Sequence, residues 1–449
     1  MRLARQRWNS ERAHGSVLII VLWVAFGLVS IALYFADAMR FELRAADHRV
    51  AGLEANQAIE GASRYVTYLL TNPVEPGVMP DIQTYQREEV FVGDSTFWLI
   101  GRGDNFIAPD APYFSLVDEA SKLNLNTATR EMLELLPRMT PELAAAIIDW
   151  RDSDSEPSQG GAEDETYLRR IPSYRCKNAP FETVDELRLV FGMDLEILYG
   201  EDWNRNGVLD PNENDGSASP PNDNRDGRLD PGLAEYVTVV SLEPNTRSDG
   251  SARINVSNQQ SRQQLQQLLE ETFGEDRARD ILAQLGAGQG ARSLLEFFMR
   301  TQLSADEFAL IEGDLTVTNA QTIAGLVNVN TASAAVLACI PGLDQGKAEE
   351  MVNFRRSNPG RLNTVAWVAE VLDEQQAVRA GPYLTGRTSQ FTADIAAVGR
   401  HGRGYQRIRY TFDVSEGTPK ILQRQELTHL GWALGKTVRQ TLLAAKGNR

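Results

Sequence analysis

The sequence predicts an α+β fold in which one very long N-terminal helix packs on an antiparallel β-sheet and a large α-helical domain is inserted into that sheet. Three observations carry this reading. An uncharged apolar run from Ser16 to Ala36 continues without a breaker into an amphipathic stripe that ends at Asn72-Pro73. Short β-rich runs cluster before residue 120 and after residue 386. Between them the chain repeats itself, with Leu123–Pro137 matching Val327–Pro341. At 449 residues, the chain exceeds one ordinary domain, and an apolar share of 42% is ample for real cores.

The apolar run has 21 residues, which as a helix spans about 31 Å and matches a bilayer core. Arg2, Arg5, Arg7 and Arg12 precede it against Glu11 alone, so the positive-inside rule keeps the N-terminus cytoplasmic and exports the bulk of the chain. A cleaved secretory signal is the alternative, with small residues around Ala36-Asp37-Ala38. The run is longer than the usual apolar region of about 7 to 15 residues in such signals. Met39, Leu43, Ala46, Val50, Leu53, Ala58, Ala62, Val66 and Leu69 then follow mostly at three- and four-residue steps. Residues 16–72 therefore form one membrane and stem helix, about 84 Å long.

The β framework divides into residues 73–120 and 386–430. Its runs are Glu88–Gly93, Thr96–Arg102, Tyr113–Val117, Gln390–Val398, Gln406–Val414 and Ile421–Leu427. Residues 121–385 form the insertion. Each copy of its repeat leads to a second helix ending near Asp149-Trp-Arg151 or Asn353-Phe-Arg355, and Arg253-Ile-Asn-Val-Ser257 is a weaker third echo. Asn126 and Asn330 read as helix N-caps. Residues 431–449 read as a solvated basic tail, with Lys436, Arg439, Lys446 and Arg449 and no acid after Glu426. Gly431–Thr437 falls one residue short of a phosphate loop.

The strongest chemical motif lies in residues 202–235. Asp202, Asn204, Asn206, Gly207, Val208, Asp210 and Glu213 reproduce the calcium-loop spacing without a gap. Oxygens at positions 1, 3 and 5 alternate inward, the glycine permits the sharp turn, a main-chain carbonyl serves position 7, and the glutamate closes the shell. We expect Ca2+ here, in a structural role. A second copy, Asn222, Asn224, Asp226, Arg228 and Asp230, is degenerate because Leu233 takes its twelfth position. It binds weakly or borrows a carboxylate from Asp223, Asp215 or Glu235. Cys176 and Cys339 leave open either a disulfide or two packed thiols. Four scattered histidines give no zinc-hydrolase ligand pair, and no paired nucleophile and base is visible, so the chain does not read as an enzyme. A formal charge of −16 opposes nonspecific nucleic-acid binding.

The leader, residues 1–15, ends in Gly15 before Ser16 and a long apolar helix, and it resembles a type IV prepilin signal. That resemblance implies cleavage between Gly15 and Ser16 by prepilin peptidase, with methylation of the new amine. The fifth mature position, where most pilin-like subunits carry Glu, is Ile20. A buried carboxylate needs a positive partner, which in a filament is the N-terminal amine of the subunit above, so an apolar residue suits a subunit with nothing above it. An ordinary single-pass anchor with a coincidental Gly15 is the alternative. Asp118-Glu-Ala-Ser-Lys122 leading into Leu123-Asn-Leu-Asn126, the turn Gly160-Gly-Ala-Glu-Asp164 and Pro172-Ser-Tyr-Arg-Cys-Lys-Asn178 closely resemble the minor pseudopilin K family of type II secretion. The family resemblance implies a type IV pilin-like fold. It also implies a place at the pseudopilus tip, nucleation of assembly, support for export of folded proteins, and residence in the bacterial inner membrane with a periplasmic bulk. Its implied partners are minor pseudopilins I and J, the rest of the pseudopilus, and exported proteins or the secretin. Tyr174, Arg175 and Asn178 are expected to tie the long loop to the helices. The internal repeat resembles a helix-hairpin-helix, which raises a membrane-tethered DNA-binding protein of the competence type as the rival. Pro137–Pro141 lacks the glycine that a phosphate-binding turn needs, and we expect no nucleic-acid partner. A calcium-dependent surface enzyme is a second rival.

Overall fold

The computed structural model describes residues 14–73, 77–103, 112–286 and 290–447, and the leader up to residue 13 lies outside them. The stem helix runs unbroken from His14 to Thr71. Its buried face is Ala51, Ala55, Ala58, Ile59, Ala62, Val66 and Leu70, spaced as one side of a 3.6-residue helix. The expected stripe therefore needs correction. Met39, Leu43, Val50 and Leu53 are exposed, Leu53 at 65%, because apolar packing against the sheet begins only at Ala51. Alanines let the two backbones close up. A β-carbon at Gly399 would stand 2.1 Å from the carbonyl oxygen of Ala51, so only glycine fits there.

The sheet runs in the order Val90–Val92, Ser95–Ile100, Gln390–Gly399, Arg403–Asp413, Lys420–Glu426, with Val117–Asp118 paired to one end of Gln390–Gly399. Every pairing is antiparallel. All ten residues of the strand Gln390–Gly399 are buried, because both faces are covered. The stem helix packs Ile59, Ala62 and Val66 with Phe97, Leu99, Ile395 and Phe412 on one face. On the other, Trp98, Ile100, Ala396 and Val398 meet Ala433 and Leu434 from the end of the chain. The supposed solvated tail is thus a second cover for the sheet, continuing as the helix Gly435–Gly447.

The insertion opens after Asp118 and holds three units of one design. Each begins with a two-residue strand and ends with another that pairs to it in parallel: Leu123–Asn124 with Val237–Thr238, Ile254–Asn255 with Leu315–Thr316, and Val327–Asn328 with Leu384–Thr385. In each opening strand the asparagine Oδ1 accepts the amide two residues on, at Asn126, Ser257 and Asn330. A single 3-10 turn precedes every closing strand, at Leu233–Glu235, Glu312–Asp314 and Gly381–Tyr383. The weak third echo at Arg253–Ser257 therefore marks a full unit. Ladders this short hold only because one continuous core, from Leu123 to Leu384, passes through all three units.

Units one and three carry the helix pairs Arg130–Glu134 with Pro141–Arg151, and Ala334–Leu337 with Gln345–Ser357. Their closing arginines act alike. Arg151 donates to the carbonyls of Leu125 and Ala128, and Arg355 to those of Val329 and Ala332. Asn126 and Asn330 are not the N-caps. Thr129 and Ser333 are, accepting from Met132 and Val336 at 3.3 Å, because they stand immediately before the first helical residue. Asn126 instead exchanges two hydrogen bonds with the Phe181 backbone, and Asn330 accepts from Trp367 Nε1 at 2.9 Å.

Sheet and insertion meet at Asp118 and Glu119, both buried. Asp118 accepts from Asn328 Nδ2, Thr331 Oγ1 and Thr388 Oγ1 and from the amide of Ala120. Burial pushes its pKa up against those four bonds. Glu119 accepts from Thr238 at 2.6 Å and Thr392 at 2.8 Å and pairs with Lys122. Two adjacent acids thereby join the first unit, the third unit and the central strand. Asp118→Ala should cost about 2–4 kcal/mol, because it leaves several buried donors unpaired. Exposed Glu88→Ala should stay within about 0.5 kcal/mol, both read by urea unfolding of the full chain in detergent.

Candidate functional site: an acidic loop fixed to the sheet

The loop from Asp202 to Glu213 folds through its own side chains. Asp202 takes the amides of Asn206 and Gly207 on its two oxygens, at 2.8 and 2.9 Å, and Asn206 Oδ1 accepts from Val208 at 2.8 Å. Arg205 and Gly207 take left-handed φ values of 57° and 71°, which makes the sharp turn. A 3-10 turn at Pro211–Glu213 brings Glu213 back, where it accepts from the amides of Trp203 at 3.1 Å and Asp210 at 3.0 Å. The side-chain Nδ2 groups of Asn204 and Asn206 donate to Asp210 at 2.7 and 3.1 Å. All six residues expected from the spacing are therefore gathered in one loop.

Asp202, Asn206, Val208 and Glu213 are buried. Burial pushes Asp202 and Asp210 up, Arg102 opposing it at Asp202. Glu213 is pushed up to about 8, by burial first and then by the charge of Asp202 beside it. Three carboxylates crowd here, and the Arg102 guanidinium lies 3.7 Å from Asp202. All the donors are oxygens, which suits a hard divalent cation.

The loop is anchored to the sheet. Arg407, fully buried, clasps Asp394 through two bonds at 2.8 and 2.7 Å and also donates to the carbonyls of Asn204 at 2.5 Å and Arg205 at 2.7 Å. Arg409 adds a bond to Asp394 at 2.7 Å. Arg102 ties the same Arg205 carbonyl, at 2.9 Å, to Glu235, and Asn204 donates to the Trp432 carbonyl at 3.3 Å. None of these anchors is legible in the loop's own motif.

The second loop repeats the local fold, with left-handed Arg225 and Gly227 at 57° and 74°. Its Asn224 and Asp226 side chains accept amides two residues on. Its expected ligands are not gathered: Asn222 donates to Glu196, Asp230 pairs with Arg138 at 2.6 Å, and Leu233 is buried in the core. Of the carboxylates expected as loans, Asp215 and Asp223 hold amides of their own turns and Glu235 holds Arg102. Buried Glu201 takes that place, accepting from the Asp230 amide at 3.0 Å.

One further set escapes the sequence reading. Carboxylate oxygens of Asp152, Asp154 and Glu163 lie within 4.8 Å of one another. Glu163 is only 4% exposed, and neither of its carboxylate oxygens has a hydrogen-bond partner. Burial pushes it up, with the charges of Asp149 and Asp152 adding to the shift. This set too has the chemistry to hold a cation. The spacing Asp152-Ser-Asp154 is its only local signal; the fold of the Gly160–Asp164 turn supplies Glu163. Tyr174 donates to the Leu189 carbonyl at 2.7 Å, Arg175 lies 3.6 Å from Asp164, and Asn178 donates to the Asp154 carbonyl. Cys176 and Cys339 are free and buried, and burial pushes both thiols up to about 12.

Two family models, each described as type II secretion system (T2SS), protein K, match residues 115–199 and 327–382. In those two stretches the chain is similar to protein K of the type II secretion system. Among relatives, a type II secretion system protein K of Klebsiella pneumoniae is 44% identical over 71 residues, 16% of this chain and 22% of that one. The protein of the same description from Pseudomonas aeruginosa is 36% identical over 74 residues, 16% of this chain and 21% of its own length. The chain thus spans about a fifth of these relatives in the aligned stretches. A chain in the crystal structure of the GspK-GspI-GspJ complex from enterotoxigenic Escherichia coli aligns over 87% of this chain and 99% of its own, at 10% identity and a TM-score of 0.41.

The matched stretches hold most of units one and three, while the loop from Asp202 to Glu213 falls between them. Gly15 and Ser16 lie in the first turn of the stem helix, and Ile20, six residues in, is 61% exposed. The helix-hairpin-helix turns are half-buried at Arg138 and Gly342 and exposed at Thr140 and Gln345. Arg138 in the first donates to the Glu196 carbonyl and pairs with Asp230. A β-carbon at Gly342 in the second would meet Arg379 Cβ at 2.7 Å.

Burial alone would raise Asp394, but Arg407 and Arg409 outweigh it and hold the carboxyl well below the usual range. A depressed carboxylate stabilises the fold fully above its unfolded pKa of about 4, and that contribution disappears as pH falls below it. Unfolding midpoints measured below about pH 4 should therefore fall less steeply with acid in Asp394→Asn than in the parent chain.

Proposed function

We propose that this protein is a minor pseudopilin placed at the tip of the type II secretion pseudopilus, where it nucleates assembly and supports export of folded proteins. The observation that carries the reading is the stem helix: apolar and exposed from Val17 to Phe35, then seated from Ala51 on an antiparallel sheet, as a pilin-like subunit requires. The insertion adds about 265 residues, a body some 45–50 Å across, too wide to repeat along a thin filament. Ile20 in place of an acid agrees with a subunit that has none above it. The exposed stem face supplies the surface for minor pseudopilins I and J. Prepilin peptidase would act between Gly15 and Ser16, leaving a single-pass protein of the inner membrane with its bulk in the periplasm. The role is mechanical, not catalytic.

Within this reading, calcium held by Asp202, Asn204, Asn206, Val208, Asp210 and Glu213 is structural. It supplies positive charge to three crowded carboxylates and so stiffens the loop on which Arg407 and Arg102 fasten the insertion to the sheet. N-terminal sequencing of the native protein should begin at Ser16 with a methylated amine; a chain that retains Met1 or starts beyond Ala38 refutes the pilin-like route. Free calcium at 100 times its dissociation constant should add about 2.7 kcal/mol to unfolding. Calorimetry should detect that gain in the parent chain and lose most of it in Glu213→Gln.

A further inference from the structure

We propose that the C-terminal helix Gly435–Gly447 is a membrane-surface element that rests against acidic phospholipid headgroups where the stem helix leaves the bilayer. The proposal depends on the stem helix being the membrane anchor. It begins with where the helix sits. The strand Gln390–Gly399 runs down the stem to Ala51, and the turn Arg400–Gly402 closes its lower end. Arg400 lies 3.9 Å from Asp47 and 3.4 Å from Glu54, and Arg403 also pairs with Asp47. The C-terminal helix packs on that turn. A β-carbon at Gly402 would meet Leu442 Cβ at 3.3 Å, while Val438 and Leu442 border the apolar cluster on the second face of the sheet. Asp47 is eleven residues beyond Ala36, a rise of about 16 Å. A headgroup layer occupies about 5–7 Å outside the hydrocarbon, so the remaining gap is of the order of the screening length, about 8–10 Å at physiological salt.

Charge then selects the surface. The whole chain is −16, so an acidic membrane repels it on average, yet this corner is basic. The stem between Asp37 and Glu54 is nearly balanced, with Arg40, Arg44 and Arg49 against Asp37, Glu42, Asp47 and Glu54. Two of those acids are already engaged by Arg400 and Arg403. The C-terminal helix adds Lys436, Arg439 and Lys446 and no acid. Lys436, Arg439 and Leu443 follow at steps of three and four along the helix, while Val438 and Leu442 meet the sheet. Lys436 and Arg439 are exposed, and Leu443 is 58% exposed. Cations flanking one exposed leucine are what a helix needs to lie on an anionic interface, with each cation near the surface contributing separately. Such a contact would fix the rotation of the soluble body over the membrane before assembly.

The test uses the full chain in vesicles of phosphatidylcholine, with or without phosphatidylglycerol, carrying a lipid-attached quencher. An environment-sensitive fluorophore on Leu443→Cys is expected to be quenched and blue-shifted only when phosphatidylglycerol is present. High salt, or Lys436→Gln, Arg439→Gln and Lys446→Gln together, should return it to the phosphatidylcholine level. A fluorophore on Leu33→Cys reports the anchor and should be quenched in both lipids. A quenched Leu33 position with an aqueous Leu443 position, or equal quenching at Leu443 in both lipids, overturns this proposal alone. An unquenched Leu33 position overturns the anchor and this proposal with it.

Discussion

Two adjacent buried acids, Asp118 and Glu119, are the constraint on which the architecture depends. A domain inserted between strands must leave the sheet and return to it without exposing the sheet's interior. Here the departure point is itself a polar knot. Asp118 gathers donors from unit three and from the return segment, and Glu119 takes one from unit one and one from the central strand. Each bond is worth little by itself, but an unmatched buried carboxylate is expensive, so the knot closes completely or not at all. The fold thus gains a fixed orientation between a pilin-like sheet and a helical body that could otherwise swing on its two connections.

A second fastening lies lower on the same strand. Asp394 faces away from the stem, and Arg407 links it to the main chain of the acidic loop. The loop therefore works as a clasp. Its inner side carries carboxylates suited to a cation, and its outer carbonyls hold the sheet's arginines. Loop geometry and domain attachment are coupled through Arg205, whose carbonyl meets both Arg102 and Arg407. Under the mechanical role proposed above, stiffness at this point is a functional property.

Much of this was legible in the residues. The stem helix was, because apolar periodicity and one proline set its course and its end. The strand pairs were, because β-branched and aromatic runs stood on both sides of a helical stretch. Less local features were not. The buried stripe of the stem begins at Ala51 because burial depends on where the sheet starts, which periodicity does not encode. Asn126 and Asn330 look like caps, yet Thr129 and Ser333 do that work and the asparagines bridge to segments 37 to 56 residues away. The middle repeat was nearly invisible, since only Ile254-Asn255 preserves the pattern on which its ladder is built.

By itself the sequence determined the long helix, the split sheet, the calcium-like spacing and the family resemblance. Each is encoded by neighbours within a few turns of chain, where backbone geometry alone relates residue to residue. Only the tertiary structure decided which carboxylates are buried together, that Glu163 joins Asp152 and Asp154, that Glu201 attends the second loop, and that the chain's end covers the sheet. Those outcomes depend on desolvation, and desolvation is a property of the packed whole.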